Sequence, residues 1–157
     1  MEKNLADIPH IICEEYGYKE HDPASLSPLT LAFIGDTIFD LIVRTKVIER
    51  GNAPVNKLHR YASNVVNAAA QAEIVEKIKD NLTEEEYNIW RRGRNAKSYT
   101  SAKNASIKDY KSATGLEALL GWLYLGGKMD RILELILPVV SDEKDAVGKD
   151  DKKVNED

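Results

Sequence analysis

Two stretches of this chain are long enough to be buried helices, are almost wholly apolar, and each carries an acid where the apolar run should continue. The first is Leu31-Ala32-Phe33-Ile34-Gly35-Asp36-Thr37-Ile38-Phe39-Asp40. The second, Gly115-Leu116-Glu117-Ala118-Leu119-Leu120-Gly121-Trp122-Leu123-Tyr124-Leu125, has a single charge among its eleven residues. A carboxylate taken out of water without a partner is destabilising or stays protonated. Asp36 and Glu117 therefore each need a partner, and two kinds are open: a nearby arginine or lysine, or a metal ion. Composition alone favours the side-chain ion pair.

Glycines sharpen the second option. Gly35 adjoins Asp36, and Gly121 lies one turn beyond Glu117. A glycine inside a helix costs about 1 kcal/mol relative to alanine, so each answers to close packing. The residues sharing a helical face with Glu117 are Ala113, Thr114, Gly121 and Tyr124, two of them very small and two bearing hydroxyls. Such a face lets another helix come close. If the two acidic helices cross there, their carboxylates repel until a hard cation bridges them, and magnesium accepts one or two carboxylates while keeping several waters. Asp40 reads differently, because Arg44 follows at four residues in the acid-first orientation of a helical ion pair.

The rest of the chain supplies further helices and no lasting period-two alternation. Ile8, Ile11, Ile12 and Tyr16 form a short amphipathic helix before Gly17, and Asp22-Pro23 marks a turn. Ser27-Pro28 is a capped start for a helix over 28–50, apolar on nearly every side and so central, closed by Gly51. Ala53-Pro54 opens a helix over 55–62, followed by an alanine-rich one over 63–79. Thr83 with Glu86 forms a capping box for the next helix, which runs into Arg91-Arg92-Gly93-Arg94-Asn95-Ala96-Lys97. Residues 98–106 read as a loop, 107–125 and 129–137 as helices, with Gly126-Gly127 and Pro138 as stops. The expectation is an all-α single domain of six to eight helices over 1–140 with its core over 27–137, followed by an acidic disordered tail over 141–157.

A length of 157 residues suits one domain with one core. The sole cysteine, Cys13, rules out an intramolecular disulfide framework and a cysteine-based zinc site. No apolar run is long enough for a membrane span and no leader pattern opens the chain, so a soluble cytoplasmic protein is expected. The net charge of −4 hides an uneven distribution. Between Arg91 and Lys111 there are seven basic residues and one acid, whereas the residues from 141 onward hold seven acids and four lysines. Local charge decides whether a polyanion docks. Arg91, Arg92, Arg94 and Lys97, with Asn95 and Ser98, offer donors suited to phosphate and sugar oxygens, although such a run is also found on plain solvated faces. The three histidines, His10, His21 and His59, lack ligand spacing. No catalytic serine triad, phosphate-binding glycine loop or dinucleotide fingerprint is present.

With these motifs in order, the chain resembles the ribonuclease III superfamily. Leu31 to Phe39 is similar to its signature helix, and Thr114 to Leu125 to its second acidic helix. Arg91 to Ser98, with Lys103-Asn104 after it, resembles the branch called Mini-ribonuclease III. Full-length ribonuclease III carries further acids where Ala32 and Thr114 stand here. Mini-type members similarly lack both, which leaves the number of metal ions open. Tyr99 stands where the branch pattern suggests glycine.

The resemblance implies a single ribonuclease III-like endonuclease domain with no double-stranded-RNA-binding domain. It implies a homodimer that hydrolyses double-stranded RNA with Mg2+ held by Asp36 and Glu117, leaving 5′-phosphate and 3′-hydroxyl ends. Mini-type members trim the paired ends of precursor 23S ribosomal RNA, with a ribosomal protein as a candidate helper. Arg92, Arg94, Asn95, Lys97, Lys103 and Asn104 would hold the RNA. Two rival readings remain: a non-catalytic RNA-binding or ribosome-assembly module on the same fold, and a helical phosphohydrolase of small phosphoesters.

Overall fold

Ser27 and Pro28 do what their order predicts. The Ser27 side chain accepts from the Thr30 N–H, Pro28 takes the first helical position, and a 21-residue helix follows. The computed structural model describes residues 7–97 and 106–140. Among these it contains seven α-helices and no strand: α1 (Ile8–Tyr16), α2 (Pro28–Ile48), α3 (Val55–Val66), α4 (Ala68–Ile78), α5 (Glu84–Asn95), α6 (Ile107–Leu125) and α7 (Met129–Ile136). Short 3-10 turns occupy Pro23–Ser25 and Lys79–Asn81. The expected loop at 98–106, apart from Ser106, and the expected tail at 141–157 lie outside the described residues, as do Tyr99, Lys103 and Asn104.

The central helix is α6, where the sequence alone pointed to α2. Helices α2, α4, α5 and α7 all pack on α6, and its buried residues run from Ala113 to Tyr124 on every side. Helix α2 buries one face, with Leu31, Gly35, Ile38, Phe39, Val43 and Val47 inward, and leaves Leu29, Phe33, Leu41 and Ile48 exposed. Apolar content alone cannot distinguish a helix buried all round from one with a second apolar face in solvent. The core is built from Phe39, Leu116, Leu119, Leu120, Ile132 and Ile136, with Ile74, Val75 and Ile78 of α4.

The α3–α4 boundary also differs from expectation, falling at Asn67 and not near residue 62. Asn67 adopts an extended conformation, and its side-chain oxygen accepts from Ala70 N at 2.9 Å while its amide donates to Ser63 O and Asn64 O. One side chain thus closes α3 and opens α4. The Thr83–Glu86 capping box forms as expected. Glu86 does more: only 3% exposed, it receives a forked pair of hydrogen bonds from Arg131 of α7, both 2.9 Å. Arg131 also donates to Asn81 O and to Glu134.

Helix–helix spacing is set by glycines. A Cβ on Gly35 would collide with the Glu117 carbonyl oxygen, and one on Gly121 with the Leu31 carbonyl oxygen. Helices α2 and α6 therefore touch backbone to backbone. A second close approach joins α5 to α6, where a Cβ on Gly93 would sit 2.7 Å from Ala118 Cβ and one on Gly115 2.7 Å from Trp90. The obstacles facing Gly35 and Gly121 are backbone atoms that no rotamer change can move. Gly121→Ala should destabilise the protein by about 3 kcal/mol or more, measured by denaturant unfolding.

Candidate active site at the α2–α6 crossing

The contact between Gly35 and the Glu117 backbone fixes where the two embedded acids lie. Asp36 follows Gly35 on α2 and is exposed, while Glu117 on α6 is largely buried. The acids interact. Burial pushes the Glu117 carboxyl up to about 7, the Asp36 charge adds to the rise, and a hydrogen bond from Gln71 opposes it. Asp36 is also raised, first by burial and then by the Asp40 charge. Neither acid has an arginine or lysine partner among the described residues, so the ion pairing that composition favoured is not what the fold provides. Asp40 does form its expected pair, with Arg44 Nε 2.8 Å from its carboxylate.

Two carboxylates close enough for the charge of one to raise the other, with no basic partner, suit a divalent metal. Among the described residues no group of three His, Cys, Asp or Glu side chains could hold a metal ion. A cation here would have Asp36, Glu117 and its own waters, a donor set that fits magnesium. The two positions that depart from full-length ribonuclease III add no ligand. Ala32 packs with Leu31, Ile89 and Ala118, and the Thr114 hydroxyl donates back to Tyr110 O at 3.0 Å.

The basic motif lies close by along α6. Gly93 of α5 faces Thr114 and Ala118, so the C-terminal end of α5 meets α6 within one turn of Glu117. Its residues do different things. Arg94 stacks on Trp90 with its guanidinium 4.7 Å from the ring and donates to the Asn95 side chain. Trp90 in turn donates to Ser112 O. Asn95 and Lys97 are exposed. Arg92 is turned to the protein, donating to Ala24 O at 3.3 Å and Leu26 O at 3.4 Å, so it anchors the segment leading into α2. The histidines assemble no ligand set either: Asp22 caps the 3-10 turn after His21, and His10 bonds Glu20.

Gln71 was not foreseen. It sits in the alanine-rich start of α4 and is buried, its Nε2 donating to Val66 O at 2.9 Å while its Oε1 has no partner. The one sequence signal was a lone amide among Ala68, Ala69, Ala70 and Ala72.

Comparison with known proteins agrees with this geometry. The Ribonuclease III domain profile matches residues 29–128. A protein named Mini-ribonuclease 3 from Thermoanaerobacter sp. is 52% identical over 121 residues, 75% of this chain and 85% of that protein. Another of that name, from Brevibacillus brevis, is 49% identical over 115 residues, covering 73% of this chain and 86% of its own length. The crystal structure of a Fusobacterium nucleatum protein superposes with a TM-score of 0.68 at 35% identity, over 74% of this chain and 93% of that one. The chain belongs to the ribonuclease III family, in its Mini-ribonuclease III branch.

The raised Glu117 pKa has a stability consequence. Below the ordinary value of 4.5, folded and unfolded chains both carry the proton and nothing is lost. As the pH climbs to about 7 the unfolded chain releases it while the folded protein retains it, so stability falls across that window and stays low above it. In chelator, Glu117→Gln should therefore melt above wild type at pH 8, by up to about 3 kcal/mol, with the gap closing near pH 4.5.

Proposed function

We propose that this endoribonuclease cleaves double-stranded RNA at the Asp36–Glu117 crossing with Mg2+, and that it matures the paired ends of precursor 23S ribosomal RNA. The observation that carries the reading is the pair of cation-free carboxylates brought together by the Gly35 contact. Asp36 and Glu117 would hold the metal, which supplies an activated water and stabilises charge on the leaving oxygen. Glu117 is rigidly placed on the central helix, and the more exposed Asp36 faces the solvent from which RNA approaches. Products would be 5′-phosphate and 3′-hydroxyl ends. The choice of ribosomal precursor rests on membership of the Mini branch and on the Arg91 to Ser98 motif.

RNA would be held by Arg94, Asn95 and Lys97, joined by Lys103 and Asn104. Contacts to backbone and 2′-hydroxyls read A-form shape more than sequence. Arg92 would contribute chiefly by fixing the segment before α2, given its bonds to Ala24 and Leu26. We also propose a homodimer through the outer face of α2, where Phe33 is 80% exposed beside Leu29 and Leu41. A two-fold axis there would set one Asp36–Glu117 pair against each RNA strand. A ribosomal protein could present the precursor. No described helix is long and apolar enough to cross a membrane, and the single cysteine and RNA substrate suit the cytoplasm.

Incubation of purified protein with Mg2+ and paired RNA tests the reading. Asp36→Asn should lower cleavage at least about 100-fold while leaving the fold intact. Wild type that leaves RNA whole would favour the non-catalytic RNA-binding module. Lys97→Ala should weaken RNA binding, reduce the salt slope by about one, and leave thermal stability unchanged. An unaltered slope would remove Lys97 from the interface.

A further inference from the structure

Trp90 and Arg94 stand four residues apart on α5, the spacing at which two side chains of one helix meet. They do meet: the Arg94 guanidinium lies 4.7 Å from the Trp90 ring. The ring itself has little freedom. It is 8% exposed, its Nε1 donates to Ser112 O at 3.3 Å, and a Cβ on Gly115 would come within 2.7 Å of the same nitrogen. Ser112 and Gly115 belong to α6 and precede Glu117 by five and two residues. The surface on which Arg94 lies is therefore fixed to the helix that carries Glu117.

Arg94 is held at a second point. Its Nε donates to the Asn95 side chain at 3.3 Å, which leaves the donors on its two Nη atoms. Among the described residues Arg94 forms no ion pair with an acid, unlike Arg44 and Arg131. Arg92 differs again, directing both Nη atoms to the Ala24 and Leu26 carbonyls. A guanidinium that is half-buried, laid on an indole and without a carboxylate keeps its charge and its fork for an anion from outside. A free arginine loses rotamer freedom when it takes up a phosphate, and one already laid on a ring loses less. We infer that Trp90 is a positioning residue for RNA binding: its ring, fixed on α6, holds the Arg94 guanidinium so that the Nη edge receives one backbone phosphate as a fork. This rests on the reading above that Arg94 contacts RNA.

Binding of a blunt RNA duplex to the full chain in chelator, measured by fluorescence anisotropy, tests both layers through a double-mutant cycle. Arg94→Ala should weaken binding about 10-fold. Trp90→Leu should weaken it about 5-fold, and Trp90→Phe, which keeps a ring face, should recover most of that loss. In an Arg94→Ala background, Trp90→Leu should change affinity by less than about 2-fold, because the group it positions is gone. If Arg94→Ala binds as tightly as wild type, Arg94 does not contact RNA, and that reading falls together with this inference. If Arg94→Ala weakens binding but Trp90→Leu does not, or does so equally with and without Arg94, the arginine contact stands and the positioning role is overturned. Should the leucine variant not fold, Arg94→Lys takes its place, keeping the charge but neither the flat face nor the fork. It should bind about 5-fold more weakly than wild type, and wild-type affinity there overturns the inference.

Discussion

The backbone-to-backbone contact of α2 with α6 is the constraint on which the rest depends. Side chains normally hold helices 8–10 Å apart, and a long carboxylate on each could then choose among many rotamers. Here Gly35 and Gly121 remove the intervening Cβ atoms, so each helix lies against a carbonyl of the other. That closeness makes Asp36 and Glu117 neighbours: burial and then the Asp36 charge raise the Glu117 pKa, while Asp36 itself is raised by burial and by Asp40 on its own helix. The site is thus stored electrostatic stress, stabilised by a fold whose large apolar core lies on the other faces of α6.

The same device, used again six residues earlier on α6, positions the basic end of α5. Gly115 admits Trp90, and Gly93 rests on Ala118 and Gly115, so α5 delivers its basic end beside the acids. One helix, α6, thereby sets the register of both the carboxylates and the basic end of α5. The exposed outer face of α2, carrying Phe33 three residues from Asp36, adds a third surface close to the same crossing.

Much of this was legible in the chain. Caps at Ser27 and Thr83 and stops at Gly17 and Gly126-Gly127 defined most helices because they act locally, and the glycine–acid pairing announced the crossing. Three features were hidden, each for its own reason. The centrality of α6 depends on packing that apolar content does not encode, since α2 is as apolar on a face that solvent reaches. Asn67 looked like any polar residue because it caps two helices with one amide, whereas Ala53-Pro54 and the alanines dominated the local pattern. Arg92 was indistinguishable from its neighbours by charge, and only its distance to the Ala24 and Leu26 carbonyls separates its anchoring role from theirs.

Glu86 carries a consequence for how the molecule comes apart. A single buried carboxylate closes the first turn of α5 and receives the Arg131 fork from α7, while Arg131 also holds the Asn81 carbonyl before α5. Neither helix can fray at that point without stranding the other's charge. The start of α5, the turn at Lys79–Asn81 and α7 should therefore open as one cooperative unit whose amides exchange together. Helix α1, which buries none of its residues, is free to open on its own without disturbing the α2–α6 crossing.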